Sequence, residues 1–111
     1  MPTELVLLCD EEPPSEVIDR AGRQVLPGGV LLEYGDGQVR QWVAPAGRVV
    51  LSVFVGRSVQ VRTDADRAVA GGTGHYGRWV DMTVPYGDAS DGWVLARALA
   101  AAVGGRVVRR D

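Results

Sequence analysis

His75 and Tyr76 carry the most chemistry in this chain. His75 is the only histidine, and it lies in the glycine-rich stretch GGTGHYG, from Gly71 to Gly77, shortly before the carboxylate of Asp81. An imidazole titrates near neutral pH and can pass a proton to or from a bound group. With four glycines in seven residues, the stretch bends at little cost, so a pocket closed by this loop and lined by His75, Tyr76 and Asp81 is one reading. A solvated loop histidine is the plainer one. The stretch lacks the lysine and hydroxyl residue of a phosphate-binding loop and leads into a strand instead of a helix, so no phosphate site is expected.

Other reactive side chains are no better placed for catalysis. Cys9 ends the apolar run Leu5–Cys9, where a thiol packs as a small hydrophobe. No serine occupies a nucleophile elbow. The carboxylates Asp10, Glu11 and Glu12, with Asp64, Asp66, Asp81, Asp88 and Asp91, match no calcium-loop spacing and suit turns and helix starts. A lone cysteine makes neither an internal disulfide nor a multi-cysteine zinc site. The expectation is therefore no catalytic residue, no cofactor and no metal, with a binding protein ahead of an enzyme and the latter left open.

The remaining candidates are aromatic and charged. Arg40 and Trp42 share one face of a strand, and Trp79 and Asp81 share one face of another. Tryptophan and arginine are enriched at recognition hot spots, although tryptophan is equally at home in a core. Arg40, Trp42, His75, Tyr76, Trp79 and Asp81 are thus the expected ligand or partner surface. Arg106, Arg109 and Arg110 are expected to solvate the last strand.

These residues need elements to position them. The continuous apolar run Leu5–Cys9 reads as an interior strand buried on both faces. Pro13 and Pro14 precede a helix over about Ser15–Gln24, with Ser15 as cap, an apolar face of Val17, Ile18, Ala21 and Val25, and Gly22 weakening it by ~1 kcal/mol. Gly35-Asp36-Gly37 joins Val30–Tyr34 to Gln38–Val43 as a hairpin, with Val39, Gln41 and Val43 on one face and Arg40 and Trp42 on the other. Arg48–Val55 has apolar residues on both sides and is expected inside the sheet. Gly56-Arg57 is read as a two-residue turn into a strand over Ser58–Arg62, and Thr63-Asp64 as the cap of a helical turn reaching Ala70.

Arg78–Val84 follows as a strand, and Asp88, Ser90 and Asp91 mark the start of a second helix whose stripe is Val94, Leu95, Ala98, Leu99 and Ala102. Gly104 closes that helix, and a short apolar strand comes after it. Strand, helix, a run of strands, then strand, helix, strand predicts a single α+β domain over residues 1–111. Its sheet is mainly antiparallel, in a ferredoxin-like or expanded split βαβ arrangement, with two helices on one face.

Whole-chain composition narrows the function class. With 111 residues, 46% hydrophobic and 23% charged, the chain has ordinary globular composition. All twelve basic residues are arginine, and a GC-rich genome explains that without functional selection. A net charge of −2 gives no general attraction to nucleic acid or an anionic membrane. The N-terminal MPTELVLLCDEE has neither a basic leader nor an apolar run long enough to span a bilayer, and this, with the single cysteine, predicts a soluble cytoplasmic protein. The expected function is a small non-enzymatic binding module that engages a protein partner, or a second copy of itself, through a sheet face or edge, as an immunity or inhibitor-type protein does. The alternative is a small-ligand-binding domain or minimal enzyme with its pocket near Gly71–Gly77. No nucleic acid and no membrane partner is expected.

Overall fold

A computed structural model of the chain describes residues 2–58, 77–85 and 90–110. In chain order the elements are β1 (Thr3–Cys9), α1 (Ser15–Val25), β2 (Val30–Tyr34), β3 (Val39–Val43), a 3-10 turn (Pro45–Gly47), β4 (Val49–Phe54), β5 (Arg57–Ser58), β6 (Arg78–Val84), α2 (Ser90–Val103) and β7 (Arg106–Arg109). The main sheet runs β2-β3-β4-β6-β1-β7, with β5 beside β6, and every pairing is antiparallel. It follows that β6 and β7 run parallel to each other with β1 between them. β1 and β2 likewise run parallel, separated by β6, β4 and β3. This is a small α+β fold with an open antiparallel sheet and two helices.

The apolar run at the N-terminus does what its pattern requires. Leu5, Val6, Leu7, Leu8 and Cys9 are all fully buried, because β1 is flanked by β6 and β7 and covered on both faces. Leu5, Leu7 and Cys9 join Leu51, Val53, Val80, Met82 and Trp42 in one core with Ile18 and Ala21 of α1 and Leu95, Ala96 and Leu99 of α2. Both helices therefore cover the same face of the sheet. Each fully buried aliphatic side chain there contributes roughly 1.5–3 kcal/mol of transfer free energy. Among the described residues, no helix is long and apolar enough to cross a membrane.

Four local expectations are corrected. Ser15 does not cap α1: Pro14 holds the cap position, its carbonyl accepts the N–H groups of Val17 and Ile18, and Ser15 Oγ donates to Glu33 instead. The stripe of α2 is rotated. Leu95, Ala96, Leu99 and Ala100 are buried, while Val94 is 51% exposed and Ala102 faces outward. A helix with this many alanines has little amphipathicity to fix its rotation, and it approaches the sheet closely at Gly92, where an added Cβ would lie 2.7 Å from Val84 and 2.8 Å from the carbonyl of Val50. Gly56-Arg57 is not a hairpin turn, because β4 already has β3 and β6 on its two sides, so Arg57 and Ser58 pair with Trp79 and Arg78 of β6. Gly22 is not merely a weak point of α1: an added Cβ would lie 2.3 Å from Cδ2 of Trp42, so the glycine is what lets the helix rest on the indole. The expected helical turn over Thr63–Ala70 and most of the strand over Ser58–Arg62 lie outside the described residues. Gly104 has φ +66° and the N–H of Gly105 bonds to the carbonyl of Ala100 at 2.8 Å, the left-handed stop read from the Gly-Gly pair.

Candidate functional site

The sheet face turned away from the helices is buried at Val6, Leu8 and Trp79 and exposed towards β2, and the strand registers say which side chains share it. Leu8, Val6 and Glu4 of β1 lie opposite Trp79, Asp81 and Thr83 of β6, so all of these point to that face. Thr83 lies opposite Ser52 of β4, and Gln41 of β3 stands between Ser52 and Leu32 of β2. One neighbouring cross-strand row runs Tyr34, Val39, Phe54.

On the β6 side this face carries a charged cluster built around an indole. The Nε1–H of Trp79 donates to Oδ1 of Asp81 at 2.8 Å. Arg110 Nη1 reaches the same oxygen at 3.3 Å, and Arg57 Nη2 lies 3.6 Å from Oδ2. The guanidiniums of Arg57 and Arg110 sit over the Trp79 ring, at 5.2 Å and 5.7 Å from its centroid respectively. Trp79 is buried under these arginines, and the carboxylate ties them down. A groove of about 270 Å³ opens beside them, lined by Glu4, Phe54, Asp81, Thr83 and Arg110 among others.

On the β2 side the same face is apolar. Val30, Leu32 and Tyr34 recur with the two-residue strand period and are 53%, 39% and 51% exposed, and Phe54 is 36% exposed. β2 is also an edge of the sheet: β3 lies on one side, and among the described residues no strand lies on the other. The opposite edge, β7, is flanked by the exposed arginines Arg106 and Arg109. Charges on an edge discourage pairing with another chain; β2 carries one, Glu33 on its helix-side face, and none on the helix-free face.

The six residues singled out from the sequence do not gather in one place. Trp79 and Asp81 are joined on the helix-free face. Arg40 and Trp42 lie on the opposite, helix-covered face, at 6% and 1% exposure. Trp42 is the floor under Gly22 and Gly29, and its burial removes it from any surface. Arg40 Nη1 donates to the carbonyl of Pro13 at 2.8 Å, and its Nη2 is 3.8 Å from Glu12, which also pairs with Arg78 at 3.4 Å. These contacts fasten the β1–α1 connection over the end of the sheet. His75 and Tyr76 lie outside the described residues, as does the rest of the Gly71–Gly77 stretch apart from Gly77, whose N–H donates to Asp10 at 3.4 Å.

Burial, reinforced by Glu12, pushes the Cys9 thiol from its ordinary 9.0 up to about 11, so it stays protonated and unreactive at neutral pH. Among the described residues no three or more His, Cys, Asp or Glu gather to hold a metal ion.

Sequence reasoning missed Arg57, Arg110 and the β2 edge. Arg57 was hidden by its apparent place in a turn. The edge was open to detection: in Val30-Leu31-Leu32-Glu33-Tyr34 the outward positions are all large and apolar, which a sheet face in contact with water does not need. Compared with family models, curated proteins and solved structures, the chain matches none.

Proposed function

We propose that this chain is a non-enzymatic binding module that engages a protein partner through the helix-free face of its sheet and the adjoining β2 edge. The observation that carries the reading is the exposed apolar strip Val30, Leu32, Tyr34 and Phe54, bordered by the Asp81–Arg57–Arg110 cluster. An apolar patch with a polar rim is the usual anatomy of a docking surface. An immunity or inhibitor-type role suits such a surface, since it requires complementarity and no reacting group.

In the strand order, β1–α1–β2 and β6–α2–β7 each enclose other strands. We infer from this a ferredoxin-like plan expanded by the β3–β4 pair, in a protein of the cytoplasm, where the single buried thiol stays reduced. The groove beside Asp81 is read as the rim of the docking face and not as an active site.

The test is binding by the purified chain in a native lysate, alongside light scattering, for wild type, Leu32→Arg, Phe54→Arg and the helix-surface control Val94→Arg. Retained proteins or self-association lost in Leu32→Arg or Phe54→Arg and kept in Val94→Arg would support the reading. A strictly monomeric chain that retains nothing, or binding indifferent to both Leu32→Arg and Phe54→Arg, would defeat it.

A further inference from the structure

We infer that the occupant of the β2 edge is β2 of a second copy of this chain, paired antiparallel about a two-fold axis at Leu32 so that two sheets become one. This rests on the binding-module reading and names its partner. The argument starts from where the backbone groups of β2 point. Val55 N–H bonds to Gln38 O at 2.9 Å and Ala44 N–H to Arg48 O at 2.8 Å, so Gln38, Arg40, Trp42 and Ala44 turn their backbone groups towards β4. Val39, Gln41 and Val43 then face β2, where Tyr34, Leu32 and Val30 stand opposite them. By the same alternation, the N–H and C=O of Leu31 and Glu33 point out of the sheet. Those four groups form a template for another strand.

Self-pairing is constrained by symmetry. A two-fold axis perpendicular to the sheet keeps side chains on their own faces, so it must lie between the strands level with one residue of β2, which then stands opposite its own copy. Only an axis at Leu32 overlaps the whole strand. It sets Leu32 against its own copy, Val30 against Tyr34 at both ends, and Leu31 against Glu33, with four hydrogen bonds from the outward backbone groups. Every exposed apolar side chain of β2 gains an apolar cross-strand neighbour. An axis at Glu33 would oppose two like charges, and one at Leu31 would leave Tyr34 uncovered.

The helix layer is compatible with the same axis. α1 packs on β2 and β3, so strands about 4.8 Å apart would bring the two copies of α1 to about 10 Å, a normal helix-packing distance. Along α1 the residues beside β2 change from acidic to basic. Ser15, Glu16 and Asp19 lie by Leu31, Leu32 and Glu33, and Arg23 follows one turn on, paired with Asp19 at 2.9 Å. The two-fold turns the acidic end of each helix towards the basic end of the other. Edge and helix are therefore self-complementary under one operation.

Light scattering over a concentration series should give about twice the 11.8 kDa chain mass at the upper end. The mass should fall to that of one chain in Leu32→Arg and stay doubled in Val94→Arg. Residue-resolved hydrogen exchange on the wild type avoids any question of variant folding. The Leu31 and Glu33 amides should be protected at high concentration and exchange on dilution, while that of Leu32 stays protected at both. Leu32→Cys should cross-link to its own copy on oxidation. A chain that stays monomeric, a dimer that survives Leu32→Arg, or Leu31 and Glu33 amides that exchange fast at every concentration would overturn the inference. If the chain is monomeric and Phe54→Arg still abolishes capture of another protein, the self-pairing fails and the binding-module reading stands.

Discussion

Replacing Gly22 by alanine pits two effects of opposite sign against each other at one atom. Alanine in the interior of α1 is worth about 1 kcal/mol over glycine from backbone propensity alone. Against this, the new Cβ would meet Cδ2, Cε2 and Cε3 of Trp42 at 2.3, 2.5 and 2.5 Å, more than 1 Å inside ordinary contact of about 3.5–4.0 Å. The indole has little room to retreat. It is 1% exposed, it lies under both Gly22 and Gly29, and a Cβ on Gly29 would itself sit 2.7 Å from Nε1. Relief must come from lifting α1, which opens the contacts of Ile18 and Ala21 with the sheet. Overpacking of this kind costs typically 1–3 kcal/mol and occasionally more, and with so rigid a neighbour the upper end applies. Gly22→Ala should therefore lose about 2 kcal/mol net, which for a domain of this size is a fall in Tm of roughly 8 °C. Urea unfolding followed by tryptophan fluorescence would measure it. The coupling is the sharper readout: in a Trp42→Leu background the alanine penalty should vanish or reverse. If Gly22→Ala is more stable than wild type by the propensity increment, the packing argument is wrong.

Asp81→Ala should cost about 1–3 kcal/mol, because it leaves the buried Trp79 N–H without its acceptor, and Asp81→Asn should recover most of the loss. Arg57→Ala and Arg110→Ala should each cost under about 1 kcal/mol in the same denaturation assay, since their side chains are 61% and 40% exposed and their ion pairs are screened by water. At high pH the raised Cys9 pKa gives a signed effect: the folded thiol holds its proton after the unfolded one has lost it. Its contribution is complete below pH 9 and is lost as pH rises from 9.0 towards about 11. Melting curves at pH 8 and pH 11 should show a smaller alkaline loss in Cys9→Ala than in wild type; equal losses would contradict the burial argument.

What could be read from the sequence was what neighbouring residues decide. The unbroken run Leu5–Cys9 gave an interior strand, Gly35-Asp36-Gly37 gave the β2–β3 hairpin, and Gly104 gave the end of α2. What stayed hidden was decided by residues far apart in the chain. Arg40 looks like a solvent-facing strand arginine until Pro13 and Glu12 arrive over it from the β1–α1 connection. Gly22 looks like a helix defect until Trp42 is beneath it. In the candidate site, Trp79 and Asp81 were found because alternation along one strand puts them together. Arg57 and Arg110 were not, because only the pairings of β5 and β7 with their neighbours bring them to the same carboxylate.

The place of β1 also governs the order in which this protein can fold. The β2–β3–β4 meander can assemble from contacts within some two dozen residues, on the time scale of a hairpin, about 1–10 μs. β1 cannot. Its partners are Arg78–Val84 on one side and Arg106–Arg109 on the other, so its interior position exists only after most of the chain has been brought back to it. Such non-local pairing must meet its loop-closure entropy before any contact compensates for it, and this slows the rate-limiting step. Until then the most apolar segment of the molecule, Leu5–Cys9, stays uncovered during synthesis. A variant that delays the β6 or β7 pairing should therefore aggregate during refolding even where its final stability is unchanged.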